Sequence, residues 1–255
     1  MKHELADFLD PLGLGAWIYH REVNSTNDLA LSWAQHGALD WSLVLADSQT
    51  AGRGRFDREW VTRPKSSLAI SLVLRPLHQE KAHLPRFTAL AALGLIRALH
   101  RVDLVGQIKW PNDVLVNGKK VAGVLVEAEW QAEDVSALVV GMGVNISPEA
   151  VLDGLRYPAT SVEAELSHSI NRWTLLADIL REMMALRRVL RDQAFIDAWN
   201  TSLAFRGQWI DVRRRGEIVE SLRVLRITSE GCLSLQNEMG ERVELLEGEI
   251  VMPGR

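Results

Sequence analysis

The stretch from Lys109 to Glu127, KWPNDVLVNGKKVAGVLVE, constrains the fold of this chain more than any other. Asn117-Gly118 sits between two β-rich runs, and the type I′ turn that joins such runs needs φ > 0 at both central residues. The sequence therefore predicts a hairpin of residues 113–116 and 119–127. Alternation along the second strand places Lys120 on the face of Ala122, Val124 and Val126. A lysine on an apolar face must snorkel to water, meet a counter-charge or lose its proton. If the hairpin lines a pocket, an anionic ligand supplies the counter-charge; an edge-strand lysine reaching solvent is the plain alternative.

Ahead of the hairpin, Pro111 presets the backbone before Asn112 and Asp113, a polar pair at the mouth of a strand where ligand groups are commonly placed. Asn112 has the donors and acceptor that recognition of a base edge requires, and Asp113 has a carboxylate for a metal or a positioning hydrogen bond. A second segment, QTAGRGRFDREW, carries Arg53, Arg55 and Arg58 with Gly52 and Gly54 between Gln49 and Trp60. Glycine lets backbone N–H groups approach a ligand, and guanidinium forks match phosphate and carboxylate oxygens. The pattern is neither the dinucleotide GxGxxG nor the P-loop. A solvated turn or a nucleic-acid arm would read the same in isolation.

Organisation along the chain is mixed. Residues 17–23 and 41–46 read as strands around a helix at 27–36, and 67–74 as another strand. Residues 83–101 carry an apolar stripe of Leu84, Phe87, Leu90, Ala91, Leu95 and Leu99 at helical spacing. Residues 172–191 and 193–200 form a second helical block whose Met183-Met184 pair reads as core filling. Ala137–Val140 is a β-run leading into GMGVNIS. From about residue 206 short strands follow at 209–212, 218–227, 232–236 and 241–246, with turns at Arg215-Gly216, Glu230-Gly231 and Met239-Gly240, as in a small SH3-like barrel. Arg213, Arg214 and Arg215 read as a hairpin tip. Two domains are expected, 1–205 and 206–255.

Bulk properties exclude several classes. The net charge of −4 opposes a general nucleic-acid binder. The single cysteine, Cys232, excludes an internal disulfide or a Cys-cluster metal site, and the seven histidines show no HExxH spacing. No apolar run of ~18 residues suggests a membrane span. The start, MKHELADFLDPLG, lacks the basic-then-apolar form of a signal peptide, so a cytoplasmic protein is expected.

Four ordered blocks then carry a resemblance: Asn24–Asn27 (NSTN), Gln49–Trp60, Lys109–Glu127, and Gly141–Ser147 (GMGVNIS). With the β-rich tail they cover nearly the whole chain, which resembles the biotin protein ligases. The resemblance implies an α+β fold: a mixed sheet with flanking helices, like class II synthetases and lipoate ligases, plus an SH3-like domain. It implies that biotin and ATP form biotinyl-5′-AMP, that the biotinyl group passes to a lysine of a biotin carboxyl carrier domain, and that AMP and pyrophosphate leave. It implies a biotin site of Ser25, Thr26, Asn27, Gln49, Gly52, Arg53, Gly54, Arg55, Lys120 and Gly123. The adenylate site would comprise Arg53, Arg55, Arg58, Trp60, Lys109, Asn112, Asp113 and Asn145, with Trp60 stacked on adenine and Asn112 bonded to it. Lys120 and Arg55 would carry the catalysis, Mg2+ would ride on the ATP phosphates, and no tightly bound prosthetic group is expected. NSTN begins 24 residues in, too little room for a preceding DNA-binding domain, so a monofunctional monomer or homodimer without nucleic-acid or membrane partners is expected.

The chain departs from the family pattern at Asp57, which replaces a glycine in the arginine loop, at Phe56, and at Lys65-Ser66 after Pro64, where a glycine is usual. Asp57 would weaken ATP binding or pair with Arg55 or Arg58 and order the loop. Two alternatives stay open: a catalytically impaired biotin-binding regulator, and a lipoate ligase or octanoyl transferase of the related fold.

Overall fold

A computed structural model describes residues 2–152, 157–214 and 217–251, with the side chains at 2, 57, 214 and 217–219 outside the description. Seven strands build one mixed sheet: β1 (Trp17–Val23), β2 (Ser42–Gln49), β3 (Ser67–Leu74), β4 (Gly106–Lys109), β5 (Asp113–Val116), β6 (Lys119–Gln131) and β7 (Asp134–Asn145). Their order is β1-β2-β3-β7-β6-β5-β4. β1 and β2 are parallel because a helix, α2 (Thr26–Gln35), crosses between them. The other neighbours are antiparallel.

The two faces of the sheet differ. Along β3, Leu68, Ile70, Leu72 and Leu74 enter the main core with Phe87 and Leu90 of α3 (Arg86–His100) and Leu176 and Met183 of α5 (Arg172–Arg187). Each such fully buried side chain contributes about 1.5–3 kcal/mol. The opposite face offers small residues, and Ala30 and Ala34 of α2 pack there on Val44, Val73, Ala137 and Val139.

The expected strand at 67–74 and the hairpin stand, with Asn117 at φ 50° and Gly118 at φ 72°. Other boundaries move. The helix expected over 83–101 begins at Arg86, after a 3₁₀ turn at His78–His83. GMGVN lies within β7, with Gly141 against the Asn27 amide and Gly143 against the Trp60 ring. The N-terminal residues form α1 (Lys2–Leu9), which the sequence reading left without structure; Leu5 and Leu9, one helical turn apart, are fully buried.

A second sheet is formed by β8 (Trp209–Arg214), β9 (Glu217–Ile227), β10 (Leu233–Gln236), β11 (Arg242–Leu245) and β12 (Glu249–Val251). It is antiparallel in the order β11-β10-β9-β8-β12. β12 had no counterpart in the sequence reading. The Arg215-Gly216 turn and the end of the Arg213–Arg215 tip lie outside the described residues. The sheets are joined where Trp110 Nε1 donates to Gly231 O (3.2 Å) and Arg86 Nη2 to Ser229 O (2.7 Å).

One irregularity decides the site. Val114 pairs with Ala122 but Leu115 pairs with Lys120, so Val121 is an extra residue in β6. A bulge of this kind reverses the alternation and re-aims a side chain. Ala122 and Val124 face the main core, and Lys120 lies on the other face with Gly123 and Leu125. The expectation that Lys120 shares a face with Ala122, Val124 and Val126 is thus corrected.

Candidate active site

On the α2 side of the sheet one row of directly paired residues runs across six strands: Ala46, Ala69, Gly143, Gly123, Asp113 and Lys109. Small residues give the row a floor at one end and opposite charges at the other. Above it lies a cavity of about 310 Å³, within the range of small-molecule sites. Ser25, Thr26, Asn27, Gln49, Arg53, Gly54, Arg55, Arg58, Trp60, Lys109, Asn112, Asp113, Lys120, Gly123 and Asn145 all line it. Of the residues expected from sequence, Gly52 alone does not. It shapes the loop instead: Trp60 N–H donates to its carbonyl at 2.8 Å, and a Cβ there would lie 2.3 Å from Trp60 O.

At one end, Ser25 caps α2 and accepts from Asp28 N–H (3.4 Å). Gln49 Oε1 accepts from the Thr26 N–H (2.8 Å) and lies 3.0 Å from the Thr26 hydroxyl. Asn27 is held at both ends of its amide: Oδ1 accepts from the Ser71 hydroxyl (2.5 Å) and Nδ2 donates to Glu127 (2.6 Å). Gly141 makes room for it, since a Cβ there would lie 2.1 Å from Asn27 Oδ1.

In the middle, the Trp60 ring lies on the glycine floor; a Cβ at Gly143 would be 2.2 Å from the ring. Its buried indole N–H has no hydrogen-bond partner among the described residues. At the far end Asp113 stands between two lysines, 2.6 Å from Lys120 Nζ and 3.7 Å from Lys109 Nζ. Lys109 is 4% exposed and lies 4.2 Å from the centre of the Tyr157 ring. Burial, opposed by Asp113, lowers its pKa. The Lys120 ammonium lies 5.5 Å from the Trp60 ring centre.

The arginines face different partners. Arg53 pairs with Asp28 (2.6 Å) and Glu127 (3.0 Å). Arg55 lies over the Phe56 ring (4.7 Å), and burial lowers its pKa. Arg58 makes a two-pronged pair with Glu249 of β12 (2.9 and 2.7 Å). The Asp57 side chain, and with it the expected pairing to Arg55 or Arg58, lies outside the described residues. Asn112 Nδ2 donates to Val124 O (2.8 Å) and Asn145 Nδ2 to Thr160 O (3.0 Å), so both amides brace the cavity wall. Sequence reasoning missed Tyr157, Ala159 and Glu249 in the lining. Ala159 forms a parallel bridge to Lys120, whose N–H donates to Pro158 O (2.8 Å). No grouping of three or more Asp, Glu, His or Cys suited to a metal is found among the described residues.

The mixed sheet and its cavity define a class: residues 19–145 match the model of the Biotin/lipoate A/B protein ligase family. The chain is 36% identical over 242 residues to the biotin–[acetyl-CoA-carboxylase] ligase of Paracoccus denitrificans, a match covering 87% of this chain and 94% of that one. It is also 36% identical over 167 residues to the bifunctional ligase/repressor BirA of Bacillus subtilis, covering 64% of this chain and about half (51%) of that relative. The chain belongs to the biotin protein ligase family. The biotin protein ligase of Aquifex aeolicus solved with biotin and ATP superimposes with a TM-score of 0.79 at 25% identity, over 92% of this chain and 97% of that one.

Proposed function

We propose that this protein is an ATP-dependent ligase that activates biotin as biotinyl-5′-AMP and transfers it to a lysine of a biotin carboxyl carrier domain. The observation that carries the reading is Lys120, turned by the bulge onto the glycine floor beside Gly123 and across from Asp113. The names of the relatives and the biotin–ATP complex of the Aquifex protein support it.

The chemistry follows from charge. A biotin carboxylate attacking the α-phosphorus brings two anions together, and preorganised cations in a water-poor cleft lower that barrier most. Thr26 and Gln49 offer the polar end to the ureido ring, with Ser25 and Asn27 framing it. The glycine row at 141, 143 and 123 lets Asn27, the Trp60 ring and Lys120 lie close on the sheet, and an apolar chain would run over them toward Lys120. Lys120 and Arg55 neutralise charge building up between carboxylate and phosphate. Arg58 and Lys109 face the remaining phosphates, and Trp60, Asn112, Asp113 and Asn145 complete the nucleotide side. In the second step the carrier lysine attacks the mixed anhydride carbonyl, the C–O bond to phosphate breaks, and AMP leaves.

Magnesium fits this site as part of its substrate. Of the three cavity-lining carboxylates among the described residues, Asp113 and Glu249 are already paired with Lys120 and Arg58, and Glu59 is an exposed residue of the arginine loop. The ion would therefore be held by ATP oxygens and would screen the triphosphate there. The catalytic unit is assigned to residues 1–205 and the second sheet to 206–255. No described helix is long and apolar enough to cross a membrane.

The test is the intact mass of a purified carrier domain after incubation with this protein, biotin and Mg-ATP. A gain of one biotin that requires ATP is expected. No gain, with biotin still bound in a calorimeter, would favour an impaired regulator.

A further inference from the structure

Glu127 has no role in the chemistry above, yet it joins two parts of the site. One of its oxygens, Oε2, accepts from Asn27 Nδ2 (2.6 Å) and from Arg53 Nη2 (3.0 Å). A carboxylate can only accept, so with the Leu125 carbonyl, a longer acceptor of the same Nδ2 (3.5 Å), it fixes which way the Asn27 amide faces. The amide oxygen is then turned to the Ser71 hydroxyl (2.5 Å), and Ser71 Oγ lies 2.8 Å from Thr26 Oγ1. Since Ser71 gives its one hydrogen to Asn27, the Thr26 hydroxyl gives its own to Ser71, and Thr26 holds Gln49 through its backbone N–H (2.8 Å). A continuous polar chain runs from Arg53 in the arginine loop through Glu127, Asn27, Ser71 and Thr26 to Gln49.

The loop end of that chain is tied down by charge. Arg53 meets Glu127 and also Asp28, which sits in the first turn of α2 two residues after Thr26. The loop between Gly52 and Trp60 buries little apolar surface of its own, and Phe56 at its tip is 61% exposed. Its placement therefore leans on a few polar ties, of which Arg53–Glu127 reaches β6 of the main sheet and Arg58–Glu249 reaches β12.

We propose that Glu127 is a positioning residue that couples the arginine loop to the head end of the cavity. It sets the Asn27 amide and anchors Arg53 with the same oxygen, so loop closure and the alignment of Thr26 and Gln49 form one cooperative unit. The proposal rests on the biotin-ligase reading for the identity of the ligand.

The experiment compares wild type with Glu127→Gln, Glu127→Ala, Arg53→Ala, the Glu127→Ala/Arg53→Ala double variant, and Glu129→Gln as a control. Glu129 lies two residues along β6 and accepts from Gln35 (3.0 Å), away from the cavity. Carrier labelling gives KM for biotin and kcat separately, and tryptic cleavage after Arg55 and Arg58, sites every variant keeps, reports loop placement without added biotin. Glu127→Ala is expected to raise the biotin KM about tenfold with little change in kcat, and to speed loop cleavage similarly. Arg53→Ala should match it, the double variant should be no worse than either single change, and Glu127→Gln should move the same way by less. Glu129→Gln should match wild type.

A purely structural role would lower the melting temperature and leave the biotin KM alone, and that result would overturn the proposal. So would KM effects of Glu127 and Arg53 that multiply. If Glu127→Ala does not fold, the isosteric Glu127→Gln carries the test, and cleavage and KM equal to wild type would overturn the coupling. If wild type labels no carrier, the ligase reading fails by itself, and the cleavage comparison still decides whether Glu127 holds the loop.

Discussion

Lys120 Nζ lies 2.6 Å from Asp113 Oδ1, so the cation assigned to the reacting anions is already matched by a carboxylate on the neighbouring strand. An incoming carboxylate or phosphate must compete with Asp113 for it. Lys120→Ala is expected to retain biotin binding but slow adenylate formation by about 10²–10³-fold, the usual cost of losing one charge-stabilising group. Pyrophosphate exchange measures this, and unchanged exchange would remove Lys120 from the mechanism.

The glycine floor makes a separate prediction. Gly143 has an ordinary backbone conformation, so Gly143→Ala should fold, but its Cβ would lie 2.2 Å from the Trp60 ring. The ring must shift, and a displacement near 1 Å at a reacting centre costs about 10²-fold. A fall of that order in turnover, with a melting temperature close to wild type, is expected.

Lys109 should give nucleotide binding a pH dependence. Burial lowers its pKa from the ordinary 10.5. An anion bound beside it favours the charged form, so its pKa rises on binding. Between the lowered value and the bound-state value, binding takes up a proton and weakens as pH rises. Calorimetric titration with ATP over a pH series running down from the ordinary lysine value, in two buffers of different ionisation heat, should detect the uptake. Lys109→Arg, which stays charged, should abolish it; uptake persisting in that variant would assign the proton elsewhere.

Arg58 and Glu249 tie the arginine loop to β12. Arg58 is 54% exposed at its side chain, so the pair is worth about 0.2–1 kcal/mol. Arg58→Ala and Glu249→Gln should each lower stability by that small amount, and the double variant by no more than either. High salt should narrow the gap to wild type. A loss of several kcal/mol in denaturant titration would show a larger structural dependence on this pair.

Lys65 adopts φ 67°, a left-handed conformation that costs a side-chain-bearing residue roughly 1–2 kcal/mol. The family resemblance places a glycine hereabouts, and the backbone shows why. Lys65→Gly is expected to raise stability by about 0.5–1 kcal/mol once the greater freedom of the unfolded glycine is subtracted. A drop in the denaturation midpoint would mean that the lysine side chain offsets its own strain.

Sequence showed much of this because its strongest signals are local. Asn117-Gly118 sets its turn by its own dihedral preferences, and the blocks around Ser25, Gln49, Lys109 and Gly141 supply every predicted lining residue. What escaped depends on distant partners. The bulge at Val121 exists only relative to β5, so strict alternation put Lys120 on the wrong face. Tyr157 and Glu249 reach the cavity from segments about 40 and about 130 residues past Lys120, with no motif to mark them. Leu5 and Leu9 did carry a signal, one helical turn of spacing, in a segment too short to stand out.

The extra residue at Val121 also limits how this hairpin can be reused. Placed in a regular ladder, with every residue of β6 matched one-to-one by its partner strand, the same letters would present the opposite surface. The ammonium would then lie among the valines on the core side and point away from the cleft. A chimaera whose β5 gains one residue opposite Val121, so that the ladder runs without a bulge, should therefore be inactive even though each side chain named in the motif is retained.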